Sequence, residues 1–274
     1  MPTLVLPPRS TLDTESLSQA ARRADWDVWA APGWRLPEGL LPPDPVLYTD
    51  VLFADAAATS LGLALLEPPN NWPAQIAQKW LGRQVEYTTL GNARQLCGWW
   101  FVKPADEKGF PARVYSCPEE LPNAADWSDD TPVLVSPPVT WDVEYRCFVL
   151  DGKVVASSPY LRGGELSQLE NEQRTSKPFE GDSARRFAQK VLADPETRLP
   201  PAFVLDVGRI SEPRMPPRVF HGWAVVEPNA AWGSGLYGCD PDAVLSVLRR
   251  SCVPRSTLSS EDAVWARPFR EVIG

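Results

Sequence analysis

The stretch that most constrains this chain runs from residue 220 to residue 240, FHGWAVVEPNAAWGSGLYGCD. It begins as a strand in which period-two alternation places Trp223, Val225 and Glu227 on one face and Ala224 and Val226 on the other. Glu227, Pro228 and Asn229 then arrive together, before a loop built on Gly233, Gly235 and Gly238. In an extended backbone Glu227 and Asn229 share a face. Two oxygen-bearing side chains at the end of an apolar strand are costly unless they meet a partner, and a hard metal ion is one such partner. The pair fits half of a magnesium site; taken alone, it fits equally a turn with an Asx cap after Pro228.

Upstream, other polar groups sit inside apolar runs: Lys103 in GWWFVKP, Glu144 and Arg146 in VEYRCFVL, and Asp206 in AFVLDVG. A buried charge without a partner is expensive, so each needs an ion pair or a ligand. Glu144 and Arg146 share a strand face, which also suits a cross-strand salt bridge.

The rest of the chain sets the frame. Residues 1–69 alternate short strands (Thr3–Leu6, Asp27–Ala30, Val46–Tyr48, Leu63–Leu66) with helices (Thr14–Ala24, Phe53–Leu61), with Thr11 and Asp13 available as N-caps. That alternation predicts a small parallel sheet covered by helices. Trp72–Leu81 reads as one helix carrying Lys79. Val85–Thr89, Gly98–Pro104, Arg113–Cys117 and Val133–Val135 read as strands, with a mobile hairpin at ADEKGFPA. Val143–Leu150 and Lys153–Tyr160 flank Asp151-Gly152, a strong hairpin signal. A polar loop over Arg162–Glu172, a helix at Ser183–Leu192, a strand at Ala202–Ile210 and a helix at Asp242–Arg250 opened by Pro241 complete the reading.

Composition excludes several classes. A net charge of −8 repels polyanions, which argues against a general nucleic-acid or acidic-membrane binder. No apolar run approaches the ~20 residues that span a bilayer. The five cysteines are odd in number and contain no CxxC, which predicts free thiols and a cytoplasmic protein, as does the lack of a signal-peptide pattern in MPTLVLPPRS. His221 is the single histidine, so a histidine triad or histidine-rich metal site is excluded. Residues 1–69 hold no GxGxxG or GxxxxGK[ST], and Ser234 in GSG is a loop serine rather than a nucleophile elbow.

The ordered set FVKP (101–104), LVSPPV (134–139), EYR (144–146), LDVG (205–208) and EPN (227–229) resembles the ATP-grasp superfamily, in particular bacterial and phage domains with E-x-R-x-F-V, a short SSPY segment and a late E-x-N-x-A with GLYG. The resemblance covers roughly residues 70–250. It implies an α/β fold of three parts: an N-terminal βα lobe (1–69), a lid or central lobe (70–138) and a C-terminal lobe with an antiparallel sheet (139–274). It implies ATP and Mg2+ as cofactors. Lys103, with Lys79 as a second lysine, would contact phosphates, Ser136 would meet adenine through the hinge, and Glu144 would take ribose hydroxyls. Arg146 and Arg162 would approach the transferred phosphate, and Asp206, Glu227 and Asn229 would hold the magnesium that accompanies the nucleotide. Outside the resemblance, Lys79 also reads as a solvated helix residue and Arg162 as a loop cation. Two departures stand out: the phosphate loop after Lys103 has only Gly109, and the hinge is rich in proline. The implied activity is a ligase that activates a carboxylate as an acyl-phosphate for attack by an amine, on small-molecule or peptide substrates. The thin glycine loop equally suits a nucleotide-binding module without ligase activity. Residues 1–69 and the loops at 163–182 and 211–219 are expected to shape the acceptor pocket.

Overall fold

A computed structural model describes residues 1–37, 39, 41–106, 109–167, 169, 170, 173, 174, 176–211 and 222–268. His221, residues 212–219 of the second acceptor loop and residues 107–108 of the lid loop lie outside the described residues.

The run TLVL forms β1 (Thr3–Leu6), fully buried because β-branched and aliphatic side chains fill both faces of a covered strand. It is the centre of a parallel three-stranded sheet between β2 (Asp27–Ala30) and β3 (Pro45–Leu47). Helix α1 (Leu12–Arg23) starts at Thr11, which closes a capping box with Thr14 and buries Leu17, Ala20 and Ala21. Asp13, an alternative cap in the sequence reading, is used elsewhere: it accepts hydrogen bonds from the Leu236 amide (3.0 Å) and the Tyr48 hydroxyl (3.3 Å). Helix α2 (Val51–Ser60) is capped by Asp50. The next strand, β4 (Leu63–Leu65), leaves the parallel sheet and pairs antiparallel with a segment near the C-terminus. Apolar alternation specifies a strand but not its partner.

The single helix expected over Trp72–Leu81 is broken. A 3-10 turn at Trp72–Ala74 is followed by extended Ala77 and the four-residue α3 (Gln78–Leu81), stopped by left-handed Gly82 (φ 63°). Pro73 has no N–H and suits only a first turn, while Trp72 and Ile76 are held by the core beneath them.

The lid is an antiparallel sheet in the order β5 (Glu86–Thr89), β8 (Pro132–Ser136), β6 (Trp100–Pro104), β7 (Arg113–Tyr115), with the short helix α4 (Leu90–Ala93) beside it. Gly109 is fixed by packing: a Cβ there would lie 2.1 Å from the Trp127 ring, which meets Phe110 edge-on.

The C-terminal sheet follows the order β11 (Glu165–Leu166), β10 (Lys153–Arg162), β9 (Thr140–Leu150), β14 (Ala202–Ser211), β15 (Gly222–Asn229), antiparallel throughout. Asp151 and Gly152 have φ of 47° and 74°, as the turn between β9 and β10 requires. The segment read as a loop after Arg162 forms strands instead. Gly163 and Gly164 (φ 60° and 86°) make a second two-residue turn into β11, and β12 (Leu169–Glu170) pairs with β13 (Gln173–Arg174). One face of the sheet, with Tyr145, Cys147, Leu205 and Val207, packs on α5 (Glu180–Leu192). The opposite face sends Phe148 and Val204 into a core shared with α6 (Pro241–Ser251) and the N-terminal lobe. Pro241 takes the expected first position of α6.

The chain then forms β16 (Cys252–Pro254), the partner of β4, and α7 (Ser260–Ala263). Arg267 fastens the end of the described chain to Asp55 and Glu67. All five cysteines are free. Among the described residues no helix is long and apolar enough to cross a membrane.

Candidate active site

Sheet register assembles the site. Ser158 on β10, Arg146 on β9, Asp206 on β14 and Glu227 on β15 stand directly opposite one another in a row across four strands. Arg146 donates from Nε and Nη2 to the two carboxylate oxygens of Asp206 at 3.0 and 2.7 Å, and from Nη1 to the Gly235 carbonyl at 3.1 Å. Asp206 is completely buried. Burial works against the charge of Arg146, but the Asp206 carboxylate overrides it and holds the guanidinium above its ordinary pKa. The rings of Tyr160 and Tyr237 lie 5.0 and 4.8 Å from that guanidinium.

The expected alternation along β15 fails at one point, and the failure creates the site. Asp206 pairs with Glu227 but Val207 pairs with Val225, so Val226 is an extra residue in a β-bulge. Before the bulge, Trp223 and Val225 face the α5 side; after it, Glu227 and Asn229 face the side of Asp206. Strict alternation would have pointed Glu227 into the same apolar core as Val225. The Asn229 amide donates to Asp206 Oδ2 (3.0 Å) and Glu227 Oε1 (3.2 Å). Across the gap between lobes, Lys103 of β6 forms an ion pair with Glu227 Oε2. Burial alone would raise the Glu227 pKa; Lys103, then Asn229, outweigh it and bring it down to about 2.

Glu144, two residues before Arg146 on the same strand, is buried and accepts a hydrogen bond from the Tyr160 hydroxyl at 2.9 Å. Burial pushes its pKa up to about 7; the tyrosine opposes the shift, and the nearby carboxylates of Asp206 and Glu227 add to it. Opposite Glu144 on β14 is Gly208, where a Cβ would meet Trp141 at 2.5 Å.

A cleft of about 570 Å³ opens between the lid and the end of β15, lined on one side by Lys103, Phe110 and Leu134 and on the other by Glu227, Pro228 and Asn229. That volume lies within the range of small-ligand sites. The side-chain amide of Asn70 donates to Asp106 at 2.8 Å and links the lid loop to the segment leaving the N-terminal lobe.

Three sequence candidates lie elsewhere. Lys79 is exposed and paired with Asp194 at 2.6 Å. Arg162 is in register with Val143, on the α5 side of the sheet, and pairs with Glu180 at 2.6 Å. Ser136 is buried in β8 opposite Phe101 and does not line the cleft. Conversely, sequence reading passed over Arg83. Its guanidinium donates to the carbonyls of Val225 (2.9 Å), Val226 (3.2 Å) and Leu81 (3.1 Å) and lies 5.0 Å from the centre of the Trp141 ring. A single arginine between Gly82 and Gln84 carries no periodic signal.

Among the described residues no cluster of three or more His, Cys, Asp and Glu side chains forms a metal site. The donor set here is two carboxylates and one amide drawn together by Asn229, which suits a hard cation that takes oxygen ligands. Glu227 and Asn229 reach the cleft; Asp206 lies behind them with both oxygens already engaged.

Among solved structures, the RimK domain ATP-grasp protein of Sphaerobacter thermophilus is similar over 91% of this chain and 98% of its own, with a TM-score of 0.51 and 14% identity. The ATP-grasp ligase PsnB complexed with minimal precursor, Mg and ADP matches over 91% and 97%, with a TM-score of 0.46 and 15% identity. D-alanine–D-alanine ligase of Bacillus anthracis complexed with ATP matches over 91% and 97%, at 0.48 and 10%. The first of these supports the fold: a βα lobe, a lid and an antiparallel C-terminal sheet. A comparison with curated proteins found no match. Residues 80–247 match a family model described as an ATP-grasp domain, the second family of its clade. With more than half of its length matched, from just before Arg83 into α6, the chain belongs to that ATP-grasp family.

Proposed function

We propose that this chain is an ATP- and Mg2+-dependent carboxylate–amine ligase, with its lobes divided near residues 69 and 138. A substrate carboxylate oxygen attacks the γ-phosphorus of ATP, the bond to the β-phosphate oxygen breaks, and ADP leaves. The amine nitrogen of a second substrate, a small molecule or peptide, then attacks the acyl carbon; phosphate departs and the nitrogen loses a proton.

The observation that carries this reading is the Lys103–Glu227 pair facing a nucleotide-sized cleft. A phosphate-binding cation and a metal-binding anion that neutralise each other are ready to exchange partners when a nucleotide and its cation arrive together. In this reading Lys103 moves to the phosphates, while Glu227 and Asn229, with Asp206 behind them, hold Mg2+. Magnesium, when bound, supplies neutralisation of the charge that develops on the phosphates. Arg146 uses three N–H groups on Asp206 and Gly235, which leaves two of a guanidinium's five for a transferred phosphate. Glu144 is assigned to a nucleotide hydroxyl. Lys79, Arg162 and Ser136 take no part, because each is spent on a partner or a position away from the cleft.

Calorimetric titration with ADP and Mg2+ tests the assignment. Lys103→Ala and Glu227→Ala are expected to weaken binding tenfold or more, and Lys79→Ala to leave it unchanged. Wild-type affinity in both Lys103→Ala and Glu227→Ala would show the site to be misassigned.

A further inference from the structure

The β-bulge at Val226 is the device that turns Glu227 from the apolar core to the cleft, and something must hold it. A bulge disrupts the ladder and frees backbone groups that need partners. Two successive carbonyls at the bulge, Val225 and Val226, are both taken by the guanidinium of Arg83. The planar fork reaches the two carbonyls from two nitrogens, Nη1 and Nη2, whereas a lysine would have to serve both from one. The fork is itself fixed from below by the Leu81 carbonyl and from the side by Trp141, which packs on Gly208 of β14. Arg83 also neighbours the Glu227 and Glu144 charges; its burial lowers its pKa to about 10, which leaves it cationic at neutral pH.

We propose that Arg83 is a positioning residue of the site: it clamps the bulge and so aims Glu227 and Asn229 at the bound cation. The inference rests on the reading of Glu227 and Asn229 as cation ligands. Arg83 acts through the backbone of β15 and keeps its contacts when Lys103 leaves Glu227.

The test measures the Mg2+ concentration that half-saturates the rise in melting temperature produced by a fixed excess of ADP, with ADP in EDTA as the reference. Arg83→Met and the milder Arg83→Lys are compared with Glu227→Ala. Arg83→Met is expected to raise the Mg2+ requirement at least tenfold while the shift with ADP in EDTA stays at the wild-type value. Arg83→Lys, which keeps the charge but not the fork, is expected to raise it severalfold, and it carries the test if Arg83→Met does not fold. A wild-type Mg2+ requirement in the folded Arg83 variants, with Glu227→Ala raised, would overturn the role of Arg83 alone. A parallel loss with Mg2+ and in EDTA would mark Arg83 as a general structural residue and also overturn it. A wild-type requirement in Glu227→Ala would remove the cation site and the Arg83 inference together.

Discussion

Arg146 and Asp206 face each other in register on adjacent strands and share two hydrogen bonds, 3.0 and 2.7 Å, with the carboxylate fully buried and the guanidinium almost so. Such a pair contributes little net stability over an apolar replacement, but breaking it strands a buried charge. Arg146→Met is therefore expected to cost about 3–5 kcal/mol. The double variant Arg146→Met/Asp206→Leu should recover most of that loss. Chemical denaturation of the two single variants and the double variant checks this, and additive losses would contradict it.

Glu144 gives the fold a pH dependence. Its folded pKa of about 7 is above the ordinary carboxylate value, so its contribution to stability is complete below about pH 4 and is lost as pH rises through 7. Glu144→Gln mimics the protonated form and can still accept from Tyr160. It should match the wild type near pH 4 and exceed it at pH 8–9, by about 3 kcal/mol. Melting temperatures across that range decide it; parallel curves would show that Glu144 does not titrate there.

The Lys103–Glu227 pair works in the opposite direction. The Glu227 pKa is depressed to about 2, so the stability it contributes is present above about pH 4 and lost as pH falls towards 2. The melting-temperature gap between wild type and Lys103→Ala should be widest near neutrality, shrink below about pH 4 and close near pH 2. A gap independent of pH would mean that the two side chains are not coupled.

Gly208 is held by contact rather than by backbone conformation. A Cβ there would lie 2.5 Å from Trp141 and 3.1 Å from Val226, so Gly208→Ala must displace the ring on which Arg83 rests. Overpacking of this kind costs typically about 1–3 kcal/mol. The quenching of tryptophan fluorescence, read beside denaturation, should report a more exposed Trp141.

Much of this arrangement was legible in the chain. Buried strand charges have to be paired: Glu144, Arg146, Asp206, Glu227 and Asn229 do lie together on adjoining strands, and Lys103 meets them from the lid sheet. The Asp151-Gly152 turn and the first-position Pro241 carried their own local signals. What alternation could not carry was the bulge at Val226, because one inserted residue reverses the face of everything after it and leaves no mark in composition. For the same reason Arg83 was invisible: its partners are backbone carbonyls on a strand more than half the chain away in sequence. Lys79 and Arg162 show the converse limit, since a cation near a motif is as readily consumed by a local acid, Asp194 or Glu180, as by a phosphate.

Ligation through an acyl-phosphate is put to the test by incubating the protein with Mg-ATP, pooled carboxylates and amino acids or peptides, and hydroxylamine. ADP and phosphate with trapped hydroxamate are expected, all abolished in Lys103→Ala. Release of AMP and pyrophosphate in place of ADP would contradict it and point to adenylation of the substrate.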